Sequence, residues 1–223
     1  NKDQADADKD SKGDVCDVCP NDANPGANKC PAMETTIEAL RKKTVTIPVG
    51  REALVKGLVV TAIKNKANSY GFWVSEATPG LYKCMFVFTQ TVVPTVKIGD
   101  RIDVTGTLAA FHGAEQLATP TISTPVAGAA LPDMEATIAN LIGADAEGYE
   151  GCRIVVKNVT GVAIDKGFGI TDGTNQIVTY NGATPALSPF ITASTSYKEV
   201  HGIADYYDAR QIIPQTAADI VLP

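Results

Sequence analysis

The chain opens with aspartates spaced to work on a hard cation. Asp6, Asp8 and Asp10 fall on alternate residues, Gly13 permits a turn, and Asp14 and Asp17 come next. No hydrophobic core can form from such a segment, and carboxylates this dense repel one another unless something neutralises them. Calcium takes about six to eight oxygen ligands, and loop sites draw them from positions 1, 3, 5, 7, 9 and 12. With Asp6 as position 1, Asp8 falls at 3, Asp10 at 5, the Lys12 carbonyl at 7, Asp14 at 9 and Asp17 at 12. The plain alternative is a solvated acidic tail, since charge runs are usually only that. The spacing and the flanking cysteines argue for the ion.

The acidic pattern ends at Pro31, and the rest of the chain must position it. At 223 residues the chain suits one large or two small domains. With 44% hydrophobic and 20% charged residues it has an ordinary globular composition. No apolar run is long enough for a helical membrane span. The chain begins at Asn1, inside the acidic pattern and without an initiator Met, so it is read as a piece of a longer precursor. Charge is uneven. Residues 1–33 carry four Lys and seven Asp (net −3), residues 34–130 ten basic and seven acidic (net +3), and residues 131–223 five basic and eleven acidic (net −6). A mildly basic middle between acidic ends is not the strongly basic face that nucleic acid demands. It does permit head-to-tail attraction between copies.

Beyond Pro31 short runs of Val, Ile, Thr and aromatics are broken by Gly and Pro. LVKGLVVTAI (54–63), GFWVS (71–75), KCMFVFT (83–89) and DRIDVTGTLAAF (100–111) read as strands. The second half repeats the plan. TIEAL (36–40) matches TIANL (137–141), LVKGLVVTAI matches IVVKNVTGVAI (154–164), and GFWVSE (71–76) matches GFGITD (167–172). KCMFVF matches NQIVTY (175–180), IDVTGTLAAF (102–111) matches YKEVHGIADYY (197–207), and GAEQLATP (113–120) matches DARQIIP (208–214). Segments recurring in one order at a fixed offset mean an internal repeat. Two homologous β domains are predicted, 34–130 and 131–223, joined by a small-residue linker near Ala127–Asp133. Each has about five strands with a long gap between the third and fourth, Gln90–Gly99 and Gly182–Thr195. Five strands closing as a Greek key make an OB-fold barrel, and the VTGT and VHGI glycines suit its strand bend. The expected fold is therefore all-β: two tandem OB-fold-like barrels behind an irregular arm, 1–33.

Two resemblances sharpen this. DQADADKDSKGDVCDVCP resembles a thrombospondin type 3 calcium repeat, whose pattern is alternating aspartates, Gly-Asp, then Cys-Asp-x-Cys-Pro. Its one departure is Ser11, where the family usually carries a left-handed glycine. The resemblance implies calcium held by Asp6, Asp8, Asp10, Lys12, Asp14 and Asp17, and an extracellular or cell-surface location. It also implies a Cys19–Cys30 disulfide with Cys16 pointing to an upstream repeat; a Cys16–Cys30 bond is the competing pairing. Five cysteines (16, 19, 30, 84 and 152) leave an odd count, and for Cys84 and Cys152 an interdomain bridge and two buried free thiols both stand open. Further on, YEGCRIVVKNVTGV, GFGITDGTNQIVTY and YKEVHGIADYYDARQIIPQTAADIVLP are similar to OB-fold domains of secreted bacterial proteins, some accompanying extracellular nucleases.

OB folds bind single strands through stacked aromatics in a basic groove. The candidate ligand surface is Tyr70, Trp73, Arg101 and Phe111 in the first domain and Tyr206 and Tyr207 in the second, with Lys64, Lys66 and Arg210 as further cations. The competing assignment for Phe72, Trp73, Phe86 and Phe88 is barrel packing. His112 and His201 lack zinc-ligand neighbours at useful spacing and read as turn or surface residues. Asp172 reads as a hairpin stabiliser. Asn158-Val159-Thr160 is a glycosylation sequon that falls inside a strand. No nucleophile elbow, zincin motif or phosphate-binding glycine loop occurs, so no enzyme is indicated. The expected function is a calcium-stabilised structural or adhesive module. The alternative is a nucleic-acid- or glycan-binding accessory to a larger nuclease.

Overall fold

The computed structural model describes residues 5–164, 167–180, 191–207 and 209–223. Its strands track the Val-, Ile- and Thr-rich runs, whose branched side chains pack well on a pleated surface. The first half holds β1 (Met33–Thr35), α1 (Ile37–Arg41), β2 (Ala53–Lys64), β3 (Tyr70–Ser75), β4 (Cys84–Gln90), β5 (Arg101–Phe111) and β6 (Ala114–Ile122). The second half runs β7 (Met134–Glu135), α2 (Ile138–Ile142), α3 (Ala146–Tyr149), β8 (Arg153–Ile164), β9 (Gly167–Thr171), β10 (Gln176–Thr179), β11 (Ser196–Tyr207), β12 (Ala209–Ile213) and β13 (Ile220–Val221).

In the first half the order β2-β3-β4-β6-β5 closes when β5 pairs back onto β2, and β4 and β6 are parallel. The second half closes the same way, β8-β9-β10-β12-β11 back to β8, with β10 parallel to β12. The fold is thus all-β, with two closed five-stranded barrels in tandem and OB-like strand order, as the repeat predicts. Among the described residues no helix is long and apolar enough to cross a membrane.

The repeat extends to small devices. Thr36 and Thr137 cap α1 and α2 by accepting from Ala39 N and Asn140 N. Each helix then sends two apolar residues one turn apart, Ile37 and Leu40 or Ile138 and Leu141, into its own barrel core. Gly57 and Asn158 hold matching left-handed positions in the first strand of each barrel, with φ of 66° and 54°. The first of these accompanies a bulge between Val55 and Leu58. Gly202, in the VHGI run, permits a close approach. A Cβ there would lie 2.6 Å from Ile212 Cγ2. The first long connection, Gln90–Gly99, carries no helix and sends Val96 into the core. In the second, residues 182–190 lie outside the described residues.

The barrels pack against each other. Ala62 and Trp73 of the first meet Ile203 and Ile213 of the second, with Phe86 alongside. Cys84 and Cys152 form a disulfide across this contact, so of the two alternatives the bridge is the one found. Arg41, whose side chain is 5% exposed, donates to the carbonyls of Cys84 (3.2 Å), Glu147 (2.7 Å) and Glu150. Tyr82 N donates to Gly148 O at 2.7 Å, and Ile63 N to Gln215 Oε1 at 3.0 Å. The linker stays on the first barrel through paired hydrogen bonds between Arg101 and Val126 and one from Ala129 N to Gly99 O.

Candidate functional site

Two places concentrate chemistry: the acidic arm and a cleft between the barrels. In the arm, Asp6, Asp8 and Asp10 each bring a carboxylate oxygen within 4.8 Å of the other two. Backbone amides shape the loop around them. Asp6 accepts from Asp10 N (3.2 Å) and Ser11 N (3.1 Å), and the buried Asp10 accepts from Lys12 N (2.8 Å) and Asn24 N (2.9 Å). These amide bonds hold the Asp10 carboxyl below its ordinary range against the opposing pull of desolvation. Asp8 is pushed the other way, by desolvation first and then by the charges of Asp10, Asp17 and Asp6. The Asp17 charge thus reaches Asp8 from outside the three-carboxylate cluster. Asp8 Oδ2 and Asp17 Oδ2 are buried without a hydrogen-bond partner, an arrangement that is unfavourable unless a cation or water satisfies it. The donor set, a cluster of hard carboxylate oxygens, fits a divalent ion.

Asp14, ninth in the register, accepts from Ala7 N at 2.8 Å, consistent with a position that commonly acts through water. The Lys12 ammonium donates to Asn24 O at 2.5 Å and ties the loop to the segment behind it. Ser11 has φ 77°, the left-handed region that a side chain enters only at a cost. Cys19 and Cys30 form a disulfide, and Cys16 is free and exposed. Asp17 also approaches the Cys19 and Cys30 sulfurs, which as a disulfide offer no thiolate ligand. An Arg51–Asp22 ion pair at 2.7 Å and a hydrogen bond from Arg51 Nε to Pro31 O fix the arm to the first barrel.

The cleft, of about 340 Å³, lies on the β3–β4 face of the first barrel. The β2–β3 turn (Asn68, Ser69) and the β5–β6 hairpin flank it, and Asp205, Tyr206 and Tyr207 at the end of β11 wall it from the second barrel. Of the six predicted surface residues, Trp73, Phe111, Tyr206 and Tyr207 meet here. Tyr70 and Arg101 do not. Tyr70 begins β3 opposite Gln90. Arg101 and Phe111 are the two ends of β5, roughly 30 Å of extended strand apart. Trp73 is 4% exposed because it also fills the barrel–barrel contact, so its ring is a wall and not an open platform. Phe72 lies in the barrel core. Phe111 and Tyr207 are 54% and 53% exposed, and His112 sits between them at 4.4 and 4.9 Å.

The polar groups of the cleft are mixed in sign. Burial pushes the carboxyls of Asp205 and Glu115 up. Gln211 and Lys64 partly offset this at Asp205, and Lys43 and Arg41 at Glu115. Burial lowers the Lys64 ammonium, which lies 5.3 Å from the Phe86 ring centroid. A smaller pocket of about 30 Å³ continues past Trp73 toward Arg41, Glu115, Glu150 and Asp205. Glu150 is also raised by burial, accepts from Arg210 at 2.8 Å, and leaves its buried Oε1 unpartnered. Lys66 does not line the cleft, and Arg210 is occupied by Glu150 and by the Tyr206 ring at 4.9 Å. Sequence reasoning missed Glu115, Glu150 and Asp205. No local spacing marks them, because they converge from different barrels.

The remaining candidates fall into place. Asp172 caps its hairpin by accepting from Thr174 N and Asn175 N, and these bonds lower its pKa. His112 occupies the β5–β6 turn. His201 is no turn residue. It lies in β11 between Asp133 (2.8 Å) and Glu199 (3.2 Å), where Asp133 also pairs with Arg153 of the buried Arg153–Asp219 ion pair. Asn158 of the sequon is exposed at its left-handed position. Compared with known proteins, the chain matches no family model and no curated protein.

Proposed function

We propose that this chain is a non-catalytic module of a secreted or surface-displayed protein, in which calcium stiffens an arm that carries a rigid pair of barrels for attachment. One observation carries the reading: the carboxylates of Asp6, Asp8 and Asp10 converge, and Asp8 Oδ2 and the nearby Asp17 Oδ2 are buried without partners. Asp6, Asp8, Asp10 and Asp17 would ligate directly, with the Lys12 carbonyl, and Asp14 through water. The likeness of this stretch to a thrombospondin type 3 repeat supports the same ion. Two disulfides suit an oxidising compartment. The arm's ties to the first barrel, and that barrel's to the second, would let a stiff arm set the orientation of the whole pair.

Calcium titration of chelator-stripped protein by calorimetry, paired with trypsin digestion, tests this. Calcium should bind with one site per chain and protect Lys9 and Lys12 from cleavage. An arm equally resistant with and without chelator sinks the reading.

A second reading, an accessory ligand-binding module, rests on the inter-barrel cleft, where aromatic walls and convergent polar groups meet as small-ligand sites require.

A further inference from the structure

We propose that the inter-barrel cleft binds a neutral oligosaccharide, stacking sugar rings on Phe111 and Tyr207 and taking their hydroxyls on Glu115, Asp205 and Glu150. This rests on the second reading above and names its ligand class.

The lining decides between ligand chemistries. A nucleic acid strand needs a basic track for its phosphates. Here Lys64, the one lysine lining the main cleft among the described residues, is partly buried against Phe86 and shares the cleft with Asp205, while Glu115 and Asp205 meet any incoming phosphate with like charge. A cationic peptide meets Lys64 in the main cleft and Arg41 in the small pocket. What the site has in excess is acceptors. Asp205 uses one oxygen on Gln211, and Glu150 leaves Oε1 buried with no donor. An unmet buried acceptor wants a hydroxyl or amide donor, and supplying one recovers a desolvation cost already incurred. Asn68, Ser69 and Gln116 add neutral donors and acceptors at the rim. Exposed aromatic faces, carboxylate acceptors and amides without net charge match a ligand with apolar ring faces and hydroxyl edges.

The site is composite. Phe111 and Glu115 come from the first barrel, Asp205 and Tyr207 from the second, so either barrel alone offers half of it.

Trp73 is the sole tryptophan and lines the cleft, so its fluorescence reports occupancy directly. The intact chain in calcium is titrated with an array of neutral hexasaccharides covering the α- and β-linked hexoses, with dT12, and with an oligolysine peptide. Saturable binding of a neutral hexasaccharide that is insensitive to salt, weakens about tenfold in Phe111→Ala and in Tyr207→Ala, and weakens in Glu115→Gln is expected. Both aromatics are more than half exposed, so the fold should survive their loss. Binding of dT12 alone, falling steeply with salt and improved by Glu115→Gln, overturns the ligand class but keeps the accessory-module reading. Binding of oligolysine alone does the same. No response to any probe at millimolar concentration overturns both, and leaves the calcium reading to its own titration.

Discussion

Breaking the Cys84–Cys152 bridge asks whether the barrels behave as one body. The bridge joins the first residue of β4 to the residue just before β8 and closes a loop with a sequence separation of 68. Chain-entropy reasoning values such a loop at about 4 kcal/mol, against about 3 kcal/mol for the Cys19–Cys30 loop of separation 11. In a protein of this size a loss of about 4 kcal/mol lowers Tm by roughly 8–16 °C. Without the bridge, the buried apolar contact between the barrels reduces to Ala62, Trp73, Ile203 and Ile213, with Arg41 bonded to the Glu147 and Glu150 carbonyls at its edge. That contact is small, so unfolding of a Cys84→Ser/Cys152→Ser variant should separate into two steps. Urea titration read by Trp73 fluorescence and by far-ultraviolet circular dichroism resolves this, because Trp73 senses the contact while dichroism senses both barrels. The wild type should give coincident curves and the variant an earlier fluorescence transition. A Cys19→Ser/Cys30→Ser control should leave the barrel transitions where they were. Coincident curves in the variant, with a loss below about 1 kcal/mol, would refute the reasoning and make side-chain packing the element that joins the barrels.

Three further outcomes rest on local geometry. Ser11→Gly removes a left-handed side chain at φ 77° and should gain about 1 kcal/mol, read by calorimetry as roughly fivefold tighter calcium binding. Gly202→Ala drives a Cβ to 2.6 Å from Ile212 Cγ2 and 2.9 Å from the Ile213 backbone; a loss of about 1–3 kcal/mol in urea titration is expected, and an unchanged midpoint would mean β11 and β12 can part without cost. Asp205 has a folded-state pKa raised above 3.8 by burial, so the native state holds its proton more tightly than the unfolded one. Its contribution therefore falls as pH rises from the unfolded value through the raised one. Asp205→Asn, which can keep the Gln211 bond, should flatten that part of the stability profile and gain stability at neutral pH.

Much of the molecule is decided by local pattern. Alternate aspartates ahead of Gly13 gather their own carboxylates, because a loop a few residues long leaves short side chains nowhere else to point. The branched, period-two runs and their repetition are enough to give two all-β barrels, down to matching threonine caps and matching left-handed residues at Gly57 and Asn158. The Asp172 hairpin is equally local. What local pattern cannot carry is which surfaces of the two barrels meet. That docking chose the Cys84–Cys152 pairing over two free thiols and buried Trp73 in the contact. It also brought Glu115, Glu150 and Asp205 toward one cleft and shifted their pKa values by desolvation. Periodicity reports the environment of a residue along its own strand. Burial between barrels depends on contacts from far along the chain, and only the folded pair supplies them.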